Sequence, residues 1–253
     1  KQSKGLHLHS TFAVTSSGLP LGVLRAECTA REQRSREDRR PLSAIPIEEK
    51  NTFSWIQGMR DCMEIKQLMP HTSLVGILDR EADFFEIFDD QRRKSSRVDL
   101  LIRAQHNRKT MGEHKLFEEV MQSPVQSRIT IKIPRQSARV KKKNQKARSM
   151  RAARSAEVTV RYIRTELKPP PYFQEMPPIS LWIIHVKEEK PPAGTKAVKW
   201  FLLTTIDIKS QHDALDCIAW YCLRWRIEDW HRVLKSGCGI EALAHKTAGR
   251  LKR

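Results

Sequence analysis

The chain has 253 residues, with 47 Lys and Arg against 29 Asp and Glu, so it carries a formal net charge of +18. That length bounds it to one or two domains, and an apolar share of 39% is enough to bury a core. The charge points to a phosphate-bearing partner, and apolar runs such as Leu181 to Ile184 and Trp200 to Leu203 stop far short of the roughly 20 residues that a membrane span needs. A soluble protein with no membrane partner is therefore expected. Five cysteines, at 28, 62, 217, 222 and 238, are odd in number and form no Cys-x-x-Cys pair, which argues against a disulfide framework and a zinc ribbon. The start, Lys1-Gln-Ser-Lys-Gly5, has neither Met nor an apolar signal region and reads as the edge of a fragment.

The pattern opens with strands. Leu6 to Thr15 alternates apolar and polar residues, Ser16-Ser-Gly18 reads as a turn, and Leu19 to Leu24 is apolar again, which predicts a β-hairpin. Arg31 to Arg40 is charge-dense and reads as a solvated loop. Ile47 to Leu68 has helical spacing through Phe53, Ile56, Met59 and Met63, and stops at Pro70. Ser73 to Leu78 is a short apolar run of the kind buried on both faces of a sheet; it ends at Asp79, after which helical periodicity resumes to Arg93. Val98 to Ala104 reads as the next strand, Glu113 to Met121 as a short helix and Ser127 to Ile133 as a strand.

Arg135 to Arg154 holds nine Lys and Arg and no acid, so an exposed basic loop is expected there. Glu157 to Leu167, Ile179 to Val186 and Trp200 to Ile206 are strand-like, with prolines keeping the first connection irregular. Asp213 to Lys235 is helical in period and ends at Gly237 and Gly239.

Two places could carry chemistry. On a helix advancing about 100° per residue, Tyr221, Arg224, Glu228 and Lys235 share an arc of about 60°, beside an apolar stripe of Trp220, Leu223, Ile227 and Leu234. Asp79 stands at the carboxyl end of a strand, where ligand and catalytic groups of open α/β sheets collect. Blander readings stand beside both: Arg224 and Glu228 as an exposed i,i+4 ion pair, and Asp79 as a helix N-cap. A strand-end Asp with a helix-borne Glu among phosphate-binding side chains suits metal-dependent phosphoryl transfer.

These residues resemble the bacterial cut-and-paste insertion-sequence transposases with an Asp-Asp-Glu triad. Their signature runs Tyr, two residues, Arg, three residues, Glu, six residues, Lys, and Tyr221, Arg224, Glu228 and Lys235 match each interval. Asp79-Arg-Glu-Ala-Asp83, after its apolar strand, is similar to the segment holding the family's second catalytic Asp. The resemblance implies an α/β fold, a ribonuclease H-like mixed sheet flanked by helices and interrupted by a β-rich insertion. The expected parts are residues 1–107 as the first part of the catalytic core, 108–206 as the insertion with the basic loop 135–154, and 207–253 as the signature helix and tail.

The resemblance further implies that Asp79 and Glu228 are catalytic and hold Mg²⁺ or Mn²⁺, two ions in a complete site. Tyr221, Arg224 and Lys235 would hold phosphates, Trp200 would stack on a base flipped from the transposon end, and Arg103 would contact that DNA. The activity implied is nicking, hairpin formation and strand transfer on double-stranded DNA, both transposon ends and target, by a homodimer in the bacterial cytoplasm at the nucleoid. One departure stands out: residues 1 to 26 contain no Asp or Glu, so the triad's first Asp is absent and the chain alone is expected to be inactive. Two rival readings stay open, a metal-dependent nuclease on the same fold and a non-catalytic basic DNA-binding remnant.

Overall fold

The computed structural model describes residues 6–30, 39–41, 44–95, 97–135, 138 and 150–240. It is a mixed α/β structure. The hairpin forms as expected, β1 (Leu6–Val14) pairing antiparallel with β2 (Pro20–Ala30). β2 runs six residues past Leu24, because its polar half is held by pairing with β1 rather than by apolar content. Gly18 closes the turn with φ +87°, a conformation that a side chain disfavours. It also has no room for one: a Cβ there would lie 2.9 Å from Leu223 Cδ2.

α1 (Phe53–Leu68) buries Ile56, Met59 and Met63 and starts later than its periodicity suggests, a 3₁₀ turn at Ile47–Glu49 preceding it. The hairpin lies against this helix. His9 meets Trp55 edge-on at 4.9 Å, Arg25 forks to Glu27 and Asp61, and Gly58 lets Thr11 approach, where a Cβ would come within 3.1 Å of Thr11 Oγ1.

The main sheet has six strands in the order β3-β4-β8-β7-β6-β5. β3 (Val75–Leu78) is parallel to β4 (Asp99–Arg103), with α2 (Phe85–Arg92) as their crossover. A parallel pair needs such a crossover, and α2 buries Phe85, Ile87 and Phe88 to make it. All the other pairings are antiparallel: β8 (Lys199–Thr204), β7 (Ile179–Glu188), β6 (Arg154–Leu167) and β5 (Ser127–Ile133). The strands expected of an insertion thus continue the sheet begun by β3 and β4. Among the described residues no ladder joins the hairpin to this sheet.

Strand alternation separates two cores. Leu100, Ile102, Ile183 and Leu203 face α1, α2 and α3 (Leu116–Gln122), whereas Leu101, Ile184, Val186 and Leu202 face α4 (Gln211–Leu223). α4 starts at a capping box in which Ser210 and Asp213 satisfy each other's backbone N–H groups.

Two expectations need correction. The helix expected over 213–235 is α4, then α5 (Arg226–Arg232), then a π turn at Val233–Gly237; Arg224 and Trp225 form a tightened joint, where the Arg224 and Glu228 amides reach back only three residues. Arg154, counted with the basic loop, instead opens β6 in a two-pronged ion pair with the buried Glu188. Most of the 135–154 loop, and most of the charged stretch 31–40, lies outside the described residues.

Candidate active site

Asp79 directly follows β3 and caps the 3₁₀ turn Arg80–Ala82, its carboxylate accepting from the Arg80 amide at 2.8 Å. Strand-end acid and N-cap are therefore one arrangement. The cap uses Oδ1 and leaves Oδ2 directed at α4. Arg224, at the end of α4, places Nη1 3.6 Å from Asp79 Oδ2 and Nη2 3.1 Å from Glu228 Oε1. The i,i+4 ion pair read from spacing is real, and it is one half of a bridge. Two carboxylates 149 positions apart in the chain (228 − 79) share one guanidinium.

Burial divides the three unequally. The Arg224 side chain is 14% exposed and lies over the Trp225 ring at 4.8 Å, whereas Asp79 and Glu228 are 44% and 50% exposed. Arg224 Nε is buried without a partner. The cation is thus fixed and the carboxylates keep free faces toward solvent.

Behind Arg224 stands Tyr221, 3% exposed, with its hydroxyl sealed from water and unpartnered. Burial pushes its phenol pKa up, while the charges of Arg103 and Arg224 pull it down. Trp200, on β8, meets the Tyr221 ring edge-on at 5.3 Å and is half-buried. Neither a wholly buried core aromatic nor a free stacking platform describes it. Arg103 ends β4 on the same face, its Nη2 donating to the Lys199 carbonyl at 3.4 Å; burial and neighbouring Arg80 lower its pKa, while Tyr221 and Asp79 raise it.

Asp79, Glu228, Arg224, Tyr221, Trp200 and Arg103 are brought together. Lys235 stands on the exposed π turn, near His231, whose pKa it helps to lower. The single regular helix assumed for the arc from Tyr221 to Lys235 is interrupted at the Arg224 joint and again by the π turn after Arg232. Sealed as it is, Tyr221 reaches a phosphate only if the side chains covering its hydroxyl move.

Sequence reasoning missed the support of this site. Asp83 has a fully buried side chain that accepts from the Gln105 and His106 amides at 2.7 and 2.9 Å and from Arg108 Nη2 at 2.8 Å. It ties the turn after Asp79 to the loop after Arg103. The signal available was a second acid four residues after a capping Asp, ahead of an apolar helix.

Among the described residues no three His, Cys, Asp or Glu side chains group as metal ligands. Asp79 and Glu228 are still hard oxygen donors converging on one positive centre, both open to solvent. They fit a single Mg²⁺ that keeps most of its waters, which is how that ion is commonly held, and they are too few to enclose two. Searched against models of known protein families, the chain matches none.

Proposed function

We propose that the chain belongs to a DNA phosphoryl-transfer enzyme of the Asp-Asp-Glu transposase type with a ribonuclease H-like core, and that Asp79 and Glu228 are two of its metal-holding carboxylates. The observation that carries the reading is the convergence of these distant carboxylates on Arg224, beside Arg103 and Trp200. Mg²⁺ or Mn²⁺, when bound, supplies charge neutralisation at the scissile phosphate and a lowered pKa for the attacking hydroxyl.

The side chains divide the remaining work. Arg224 balances both carboxylates and, fixed between them, would present its charge to a DNA phosphate at the same place. Arg103 holds a neighbouring phosphate by charge, and Tyr221 forms the floor on which Trp200 rests. Trp200, half open, offers a ring face to an unstacked base, a contact worth about 1–3 kcal/mol. A double-stranded DNA partner, and a homodimer that brings two transposon ends together, belong to this reading.

A non-catalytic DNA-binding role is the second reading, favoured by the absence of a third acidic ligand among the described residues. Mn²⁺ binding separates the two. Titrating the 253-residue chain with Mn²⁺, followed by paramagnetic relaxation of water protons, should give one site, weakened about tenfold or more in Asp79→Asn and in Glu228→Gln. No such site, or one indifferent to both substitutions, defeats the enzymatic reading. Asp79→Asn should leave duplex binding nearly intact.

A further inference from the structure

On the opposite face of the sheet from Arg224 lies a second basic feature that the proposed chemistry does not use. Strand register builds it in two successive rungs across β6, β7 and β8: Arg161, His185 and Phe201, then Thr159, Lys187 and Lys199. With Met121 of α3, four of these side chains, Arg161, His185, Lys187 and Lys199, line a cleft of about 190 Å³.

His185 is its unusual member. It is 1% exposed, and neither ring nitrogen has a hydrogen-bond partner. Its ring lies flat on Phe201 at 4.4 Å and 11°, and Phe201 lies on Phe117 at 3.9 Å and 8°, so turning the imidazole out of this plane would break a three-ring stack. Buried polar groups are ordinarily satisfied, and an exception calls for a ligand or a cost. The three cations are only lightly engaged. Arg161 spends Nε on the Ser123 carbonyl, Lys199 lies over the Phe201 ring, and Lys187 pairs with Glu189, an acid that also acts on His185.

We propose that this cleft is a phosphate-binding subsite, in which a phosphate group seated among Arg161, Lys187 and Lys199 draws a proton onto His185. Burial holds the His185 pKa down to about 4, with Arg161, Lys199 and Lys187 lowering it further and Glu189 opposing them. Burial stays in place, but an anion offsets the cationic contribution, so the ring takes a proton from solvent at a higher pH than without it. The ligand is either a free phosphate or a phosphodiester of a nucleic-acid backbone, and both present the same oxygens. The site stands apart from Asp79 and Glu228, so its failure leaves the metal proposal untouched.

The test follows the His185 ring by NMR across a pH titration of the full chain. Parallel arms contain inorganic phosphate, a short DNA duplex, and chloride at matched ionic strength. Phosphate should raise the His185 pKa by about one unit or more over chloride. Lys187→Met and Lys199→Met, which keep the aliphatic stems, should each weaken binding about tenfold. Glu189→Gln should tighten it, because it frees Lys187, and misfolding does not explain a gain. A shift with both phosphate and duplex assigns the site to a nucleic-acid backbone; a shift with phosphate alone assigns it to a free phosphate group. If neither ligand moves His185 beyond the chloride control, or if Glu189→Gln leaves affinity unchanged, the proposal is overturned.

Discussion

Tyr221 and Asp83 represent opposite ways of burying a polar group. The Tyr221 hydroxyl is sealed from water without a hydrogen bond of good geometry, and the nearby Arg103 guanidinium offsets only part of its desolvation cost. Tyr221→Phe should therefore be neutral or stabilising by up to about 1 kcal/mol in a denaturant titration, while the ring contact with Trp200 is kept. Asp83 is equally buried but meets two amides and a guanidinium. Asp83→Ala strands Arg108 and frees two amides, and should cost about 3–5 kcal/mol by the same measurement. Because Asp83 joins the turn after Asp79 to the loop after Arg103, this loss should also weaken Mn²⁺ binding. Tyr221→Phe should not.

Among the elements, the hairpin is held by helices rather than by a neighbouring strand. α1 contacts it through Trp55, Gly58 and Asp61, and α5 through His231, which bonds Ser10 at 3.0 Å, and Trp230, stacked on Phe12 at 6.2 Å. Its turn closes onto the end of α4, which makes Gly18 doubly constrained. Gly194 has φ +69° with nothing near its missing Cβ, so Gly194→Ala carries backbone strain alone, about 1 kcal/mol. Gly18→Ala adds the clash with Leu223 and should cost distinctly more, about 2–3 kcal/mol, visible as a larger drop in Tm.

Histidines link these packed elements to pH. Burial lowers the pKa of His9, His185 and His231 from 6.5, His185 to about 4. Below about pH 6.5 the unfolded chain then binds more protons than the folded one. Their contribution is full above about pH 6.5 and is lost as pH falls below it; for His185 the loss runs down to about pH 4 and reaches about 3 kcal/mol. His185→Phe, which preserves the stack on Phe201, should flatten the stability profile between about pH 6.5 and 4.5, above the range where carboxylates titrate. An unchanged slope would show that His185 is not held neutral.

For the molecule as a whole, a net charge of +18 dominates any encounter with a polyanion. Binding to duplex DNA should show little sequence preference. Its affinity should fall about 10³-fold between roughly 50 and 200 mM salt as counterion release loses its advantage. An affinity flat across that range would exclude the basic surface as the determinant.

Local pattern determined the element order. Alternation placed the hairpin, apolar runs placed the buried strands, and the 3.6-residue period placed α1, α2 and α4, because each signal is carried by residues within one or two turns of each other. The joint at Arg224 and the π turn escaped it, since both are small changes of helical pitch that leave the apolar spacing almost unaltered. At the candidate site, the Arg224 to Glu228 spacing and the strand-end position of Asp79 were legible separately. That they form one bridge was settled only by tertiary structure. Asp79 reaches Arg224 because α4 packs on the face of the sheet that carries Val75 and Ile77 of β3, and its last turn lies beside the end of that strand. The His185 cleft is the same case: Arg161, Lys187 and Lys199 are unremarkable surface cations in sequence, and only antiparallel register stacks them around one buried imidazole. Periodicity reports which face a residue occupies; which residue it meets there depends on long-range strand pairing, which no local window contains.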